Sequence, residues 1–131
     1  MKKKSFLGFC VLITTLILLA CNGEEDNSTG PDKKISDVAG FVRAVCEQAA
    51  SCPGISATQT EINTYVAQID SRFSTSQIEE MERFITYTKS QQDCILECIG
   101  GLICGRFGGS ISNMSDSDVI EPFRACEQEC L

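Results

Sequence analysis

The chain contains no histidine, and this absence removes several classes of catalytic site from consideration. A Ser-His-Asp triad and a zinc site with histidine ligands both need the imidazole ring. The glycine-rich stretch at 100–109 lacks the Lys-Ser/Thr ending of a phosphate-binding Walker loop. The chain also lacks a C-x-x-C motif, which thioredoxin-type oxidoreductases use. We therefore predict that the protein is not an enzyme.

Positive charge is scarce, with 11 Lys+Arg against 18 Asp+Glu and a formal net charge of −7. Three of the basic residues are Lys2, Lys3 and Lys4, so the rest of the chain has 8 basic against 18 acidic residues, a net charge of −10. A surface this acidic repels phosphate backbones and anionic lipid head groups. We predict no nucleic-acid partner.

No apolar run reaches the length of about 20 residues that a membrane-spanning helix requires. The longest apolar run occupies residues 6–20, follows three lysines, and ends at a small residue, Ala20. A basic start, a short apolar core and a small residue before the cut are typical of a secretory signal peptide. Residues 1–20 are therefore predicted to be a signal peptide, and Cys10 to be discarded with it.

The residues around the predicted cut, Leu18-Leu19-Ala20-Cys21, resemble the lipobox of bacterial lipoproteins. The resemblance implies a diacylglyceryl group on the Cys21 thiol, cleavage before Cys21 and an acyl chain on the new N-terminus, with no other cofactor. Several acyl chains together hold a protein stably on a membrane. The residue after the cysteine is Asn22. In the enterobacterial sorting rule, the absence of Asp at this position favours the outer membrane of the cell envelope.

Residues 21–34 are predicted to form the lipidated cysteine and a flexible acidic tether. The stretch 22–34 contains no apolar residue and is rich in Gly, Asn, Ser and charge. Its acidic run Glu24-Glu25-Asp26 is similar to a surface-export signal of some Bacteroidetes lipoproteins. A solvated spacer explains the same run without a special function and is the preferred interpretation. The domain after the tether is therefore either periplasmic or surface-facing.

Residues 35–131 are predicted to form one small all-α domain, a disulfide-stapled bundle of four to five helices. Apolar residues recur at helical spacing in several segments, and the alternating, β-branched stretches typical of strands are nearly absent. A core of this size is marginal, and small exported domains often compensate with disulfides.

Capping residues and helix breakers indicate where the helices begin and end. The first helix is predicted to stop at Pro53-Gly54, and the second to cover residues 59–72. The caps predicted for the first three helices are Ser36 or Asp37, then Thr58 with Glu61, then Ser76 with Glu79.

The last third of the domain is predicted to contain a glycine-rich connection and a final helix. Half of all glycines fall in residues 100–109, which predicts a flexible connection and not a helix interior. The final helix is predicted over Asp118 to Cys130. Pro122 is expected in its first turn, because a deeper proline removes a hydrogen bond and clashes with the preceding turn.

Seven cysteines remain once Cys10 and Cys21 are set aside, and two C-x3-C pairs stand out among them. Residues four apart on a helix have Cβ atoms about 5–6 Å apart, whereas a disulfide needs about 3.8 Å. The two cysteines of a C-x3-C pair should therefore not bond to each other within a helix, but both can reach a neighbouring helix. If the two helices are antiparallel, the predicted disulfides are Cys94–Cys130 and Cys98–Cys126.

The other three cysteines leave more than one possibility. Cys46 and Cys52 would lie about 120° apart around one helix and cannot pair while both are helical. Cys104 is the nearest candidate partner for either Cys46 or Cys52. One thiol of the seven then remains, either buried and inert or linked to another chain.

The twin C-x3-C arrangement over residues 94–130 resembles the helical hairpins of small mitochondrial intermembrane-space proteins. The resemblance implies a stapled hairpin, without the function of that family. The layout of the whole chain is similar to small cysteine-rich lipoproteins of Gram-negative bacteria.

These features favour a membrane-anchored lipoprotein that displays a disulfide-stapled structural or interaction module. Its partners would be the membrane, through the lipid, and an envelope or extracellular protein. The alternatives are a structural metal-thiolate site and a thiol-redox domain, for which Cys94 is the best candidate thiol. Counting the free thiols separates both alternatives from the stapled module.

Overall fold

The computed structural model describes residues 33–131, and these residues confirm the prediction of a small, disulfide-stapled all-α bundle. The predicted signal peptide, Cys21 and nearly all of the tether lie outside them. The described part contains six α-helices, one 3-10 turn and two strands of two residues each. In chain order these are α1 (Val38–Ala50), β1 (Ile55–Ser56), α2 (Gln59–Ala67), α3 (Ile69–Arg72), α4 (Thr75–Thr86), α5 (Lys89–Arg106), β2 (Gly109–Ser110), the 3-10 turn (Ile111–Asn113) and α6 (Asp116–Cys130).

Side-chain caps explain where most of the helices begin. Asp37 caps α1 by accepting a hydrogen bond from the Gly40 amide at 2.6 Å. Reciprocal capping boxes start α2, α4, α5 and α6, and their caps are Thr58, Ser74, Thr88 and Ser115. Each box satisfies backbone amides that have no partner within the helix.

Two helix boundaries differ from the sequence prediction. The cap of α4 is Ser74 with Gln77, and the prediction of Ser76 with Glu79 is wrong by two residues. Both pairs have the same spacing, but buried Phe73 ends the preceding turn and leaves Ser74 as the residue in extended conformation before α4. The predicted second helix over 59–72 is divided at Gln68 into α2 and the single turn α3.

The glycine-rich segment is not a flexible connection, because α5 continues through it to Arg106. Buried Ile99 and Ile103 hold this part of the helix against the core. Gly100 lies against α1, and a Cβ atom at this position would lie 2.8 Å from Oε1 of Gln48. Glycine therefore permits the close approach of α5 to α1.

Pro122 is not in the first turn of its helix, as predicted, but is the seventh residue of α6. The helix begins at Asp116, two residues earlier than expected, because Ser115 and Asp118 form its capping box. The proline ring is buried. Its burial offsets part of the cost of the missing amide hydrogen bond.

The core lies around α1, which packs against α2, α4 and α5. Three aromatic rings meet at its centre, with the centroid of Phe41 lying 4.5 Å from Phe84 and 5.1 Å from Phe123. Phe41 comes from α1, Phe84 from α4 and Phe123 from α6, so this cluster joins three helices. The strands β1 and β2 pair in parallel, with Ile55 opposite Gly109.

A buried glutamine holds the start of the domain in place. The Gln92 side chain accepts a hydrogen bond from the Ile35 amide at 2.8 Å and donates one to the Ile35 carbonyl at 3.0 Å. It also donates to the Phe84 carbonyl at 3.0 Å. The segment that follows the predicted tether is thereby fixed to α5 and α4 at Ile35.

Candidate functional site

Two disulfides connect α5 to α6 as successive rungs of a ladder. The outer rung joins Cys94 to Cys130, with Cα atoms 5.9 Å apart, and the inner rung joins Cys98 to Cys126 at 5.7 Å. The first half of α5 therefore lies beside the last half of α6, and the two helices are antiparallel. These are the two disulfides that the C-x3-C spacing predicts for antiparallel helices. The rungs are four residues apart on each helix, so they fix the spacing of α5 and α6 over about one helical turn.

The third disulfide joins Cys52 to Cys104, with Cα atoms 5.3 Å apart. Of the two partners considered for Cys104, the structure uses the cysteine that lies just beyond the end of α1. Cys52 is buried, and Cys104 is exposed on α5. All three disulfides therefore have one cysteine in α5.

Among the cysteines of residues 33–131, Cys46 is the one outside a disulfide, and it is fully buried in the core. Burial raises the pKa of this thiol to about 12, with the charges of Arg43, Glu47 and Arg72 acting as smaller influences. The group is therefore protonated at neutral pH and does not act as a nucleophile. Within residues 33–131, no cluster of Cys, Asp and Glu has the geometry to hold a metal ion.

An open groove of about 540 Å³ lies between α5 and α6, beside the inner rung. Sequence reasoning missed it, because residues 100–109 were expected to be a connection. The signal that points to a helix there is the continuing four-residue spacing of Ile95, Ile99 and Ile103, all buried. The lining residues are Glu97, Cys98, Gly101, Leu102, Ala125, Gln128 and Glu129.

We call the apolar part of the lining, Gly101, Leu102 and Ala125, the floor of the groove. Leu102 is 42 % exposed, one of two large apolar side chains with this degree of exposure in the described residues. Gly101 contributes no side chain, and a Cβ atom placed there would meet nothing within 4 Å. Gly101 therefore leaves space along the groove, and the disulfide beside it keeps the two walls at a set distance.

An ionic network between α4 and α6 lies on another side of α6. Glu127 accepts hydrogen bonds from Nε and Nη2 of Arg83 at 3.2 and 2.6 Å, and a third from the Tyr87 hydroxyl. Its side chain is 10 % exposed, whereas that of Arg83 is 50 % exposed. The hydrogen bond to Glu127 is the main cause that raises the pKa of Arg83. A carboxylate engaged in this way holds helices together and is not available as a general base.

The second ion pair of this network joins Arg124 to Glu80. Its two hydrogen bonds, from Nε and Nη2 of Arg124, are 2.8 and 2.6 Å long. Hydrogen bonding to Arg124 lowers the pKa of the Glu80 carboxyl. The network orients α6 so that Ala125, Gln128 and Glu129 face the groove.

None of the six helices is long and apolar enough to cross a membrane, as judged over residues 33–131. Comparison of the chain with protein-family models, with curated proteins and with solved structures gives no match.

Proposed function

We propose that this protein is a membrane-anchored lipoprotein whose helical domain acts as an interaction module in the bacterial cell envelope. The observation that carries the proposal is the combination of three disulfides with a preformed apolar groove between α5 and α6. The groove contains carboxylates, an amide and apolar groups, and these groups suit binding more than bond-making chemistry.

The cysteine usage supports an exported protein. Six of the seven cysteines in residues 33–131 are in disulfides, and the seventh is buried. Structural disulfides persist in the periplasm and outside the cell, and they are rare in the reducing cytosol. The same engagement of the thiols weighs against the two alternatives, because a four-thiolate metal site and a reactive dithiol both require free cysteines.

Membrane attachment is proposed from the lipobox-like residues Leu18-Leu19-Ala20-Cys21. The Ile35 peptide is held by Gln92, so the domain begins 14 residues after the proposed lipid. Fourteen residues extend to about 50 Å at most. A domain attached in this way works within that distance of the membrane surface, which suits a partner in the same envelope layer.

The lipid anchor is tested by intact mass spectrometry of protein extracted from membranes, with thiols alkylated before and after reduction. We expect a species that begins at acylated Cys21, with one alkylated cysteine after denaturation and six more after reduction. Cys21→Ser is expected to abolish the acylated form and signal cleavage, whereas Cys10→Ser is the matched control and is expected to change neither. An unmodified Cys21 in the native protein would overturn the lipoprotein assignment.

The interaction role is tested with a photo-crosslinking amino acid placed at single exposed positions on different helix faces in living cells. Leu102 reports on the groove, Thr64 on α2 and Glu47 on α1. We expect one discrete adduct that forms from a single face. If no position gives an adduct above the level of the unirradiated sample, the interaction module is wrong.

A further inference from the structure

The α5/α6 groove combines an apolar floor with two acidic edges. Leu102, Gly101 and Ala125 supply the floor, beside the Cys98–Cys126 disulfide. Glu97 stands on the α5 side and Glu129 on the α6 side. No part of residues 33–131 covers the groove. The floor therefore presents apolar surface to solvent between two carboxylates.

These two carboxylates lack the neutralising partners that neighbouring acids have. Asp93 pairs with Lys89 one turn before Glu97, and Glu121 pairs with Arg106 at 2.5 Å. The side chains of Glu97 and Glu129 form neither an ion pair nor a hydrogen bond with any of residues 33–131. Their charges face solvent at the groove, where only an incoming group can compensate them.

We propose that this groove binds a basic, amphipathic segment of a partner protein. An apolar side chain of the partner packs against Leu102 and Ala125, and a lysine or arginine on either side pairs with Glu97 and Glu129. The inference rests on the proposed function as an interaction module, and it specifies the chemistry of the partner. Lysine and arginine side chains suit this site because their aliphatic stems pack on apolar surface while their charged ends reach a carboxylate.

Charge complementarity selects this occupant over the others that are available. A second copy of the chain would bring the same two glutamates and the same excess of acidic residues. The chain's own segment 22–34 has four acidic residues against two lysines, a net charge of −2, and anionic lipid head groups are also negative. Like charges placed opposite each other in an interface disfavour these occupants, whereas complementary charge steers association and fixes orientation.

The disulfide ladder makes the groove a preformed site. The outer and inner rungs hold α5 and α6 at Cα distances of 5.9 and 5.7 Å between bonded cysteines. Binding therefore needs no rearrangement of the two walls, which reduces the free-energy cost of ordering on association. A helix lying in a groove between two helices is a recurring mode of peptide recognition.

The test uses the full-length protein purified from membranes in a neutral detergent, and a fluorescein-labelled alanine-based helical peptide. The peptide carries two leucines, each with lysines three or four residues away, and binding is followed by fluorescence anisotropy. A peptide with glutamate in place of every lysine is the charge control. We expect the lysine peptide to bind, and the glutamate peptide to bind at least ten-fold more weakly.

Two glycine variants separate the groove from the rest of α5. Gly101→Gln fills the groove, and Gly105→Gln adds the same side chain one turn away, where it does not line the groove. A Cβ atom meets nothing within 4 Å at either position, so both variants are expected to fold. We expect Gly101→Gln to weaken binding at least ten-fold and Gly105→Gln to change it less than two-fold. Equal losses in the two variants would overturn the proposal.

A pair of double variants isolates the role of charge. Glu97→Gln/Glu129→Gln is expected to weaken binding about five-fold, a loss that shrinks as salt is added. Glu79→Gln/Glu82→Gln, on exposed positions of α4, makes the same change in net charge and is expected to leave binding unchanged. If both double variants weaken binding equally, the peptide senses only the overall charge, and the groove proposal is wrong.

The outcomes distinguish this inference from the proposed function. If the lysine peptide does not bind while photo-crosslinks form from Thr64 or Glu47, the module binds its partner through another face and only the groove inference fails. If no crosslink forms from any face, the proposed function itself fails.

Discussion

Replacing Gln92 with leucine would show how firmly the start of the domain is held. The Gln92 side chain is 1 % exposed and makes three hydrogen bonds to backbone groups, two of them to the Ile35 peptide. Leucine has a similar volume but neither accepts nor donates a hydrogen bond. The Phe84 carbonyl keeps a second donor, the Tyr87 amide at 3.2 Å. The substitution therefore leaves the amide and the carbonyl of Ile35 without partners.

The magnitude follows from the two ways in which the variant can respond. If the Ile35 peptide stays in place, two buried polar groups lack partners, at about 1 kcal/mol or more each. If the segment detaches to reach water, Ile35, now 7 % exposed, loses its burial, which costs about 2 kcal/mol. Both routes give a loss of about 2 kcal/mol in the free energy of unfolding. For a domain of this size that loss lowers Tm by roughly 10 °C.

Urea unfolding of the oxidised protein measures this loss, and amide hydrogen exchange reports on the Ile35 amide directly. We expect exchange at Ile35 to become much faster in Gln92→Leu, because the donor has lost its acceptor. Gln128→Leu, at an exposed position of α6, is the matched control and is expected to have little effect. A loss below about 0.5 kcal/mol, or an unchanged Ile35 exchange rate, would show that Gln92 does not hold this segment in place.

Three further predictions concern the thiols and the ionic network. Cys46 is expected to resist iodoacetamide at pH 8 in the folded protein and to react on denaturation, because its pKa is raised to about 12 by burial; rapid labelling without unfolding would contradict its position. Removing the inner rung with Cys98→Ala/Cys126→Ala is expected to cost about 2–3 kcal/mol in urea, less than an isolated disulfide of this loop length, because the outer rung still restricts the unfolded chain. Folding lowers the pKa of the Glu80 carboxyl. The ionised carboxylate therefore stabilises the fold fully above its unfolded pKa of about 4.5, and this stabilisation is lost as the pH falls through its folded pKa. Arg124→Gln is therefore expected to destabilise the protein more at pH 7 than at pH 2, and an equal effect in thermal melts at both pH values would count against the ion pair.

The parts of the fold that the sequence predicts are those set by strong local patterns. Asp37 and the Thr58–Glu61 pair are caps in the structure because their side chains satisfy amides within the same turn. The spacing of the C-x3-C pairs excludes bonds within one helix, and the structure has Cys94–Cys130 and Cys98–Cys126 between two helices. Local chemistry leaves few alternatives at these positions.

The wrong predictions concern positions where tertiary packing overrides the local preference of the sequence. Glycine lowers helix propensity by about 1 kcal/mol per residue relative to alanine, and this preference predicts a connection at 100–109. In the structure, Ile99 and Ile103 are fully buried and hold the segment helical despite its glycines. Pro122 shows the same effect, since it is buried at the seventh residue of α6. No single-sequence pattern reports which of two competing preferences prevails.

The choice of Cys52 over Cys46 as the partner of Cys104 also depends on tertiary structure. Both cysteines are near the C-terminal end of α1, and both are buried. The helix ends at Ala50, so Cys52 lies beyond it and close to α5, while Cys46 remains within the helix and faces the core. The position of α5 relative to α1, which sequence spacing does not report, therefore selects the third disulfide.

The glycines of α5 and the disulfides of the domain are physically linked. Gly100 lies where α5 approaches the Gln48 side chain, but Gly101 and Gly105 have open space where a side chain would be. Alanine at these two positions would favour the helix by about 1 kcal/mol each, so their glycines carry a cost that folding alone does not explain. Each of the three disulfides has one cysteine on α5, and one disulfide contributes about 3 kcal/mol by restricting the unfolded chain. The disulfides therefore offset the weak helix propensity of a segment in which Gly101 leaves space along the groove.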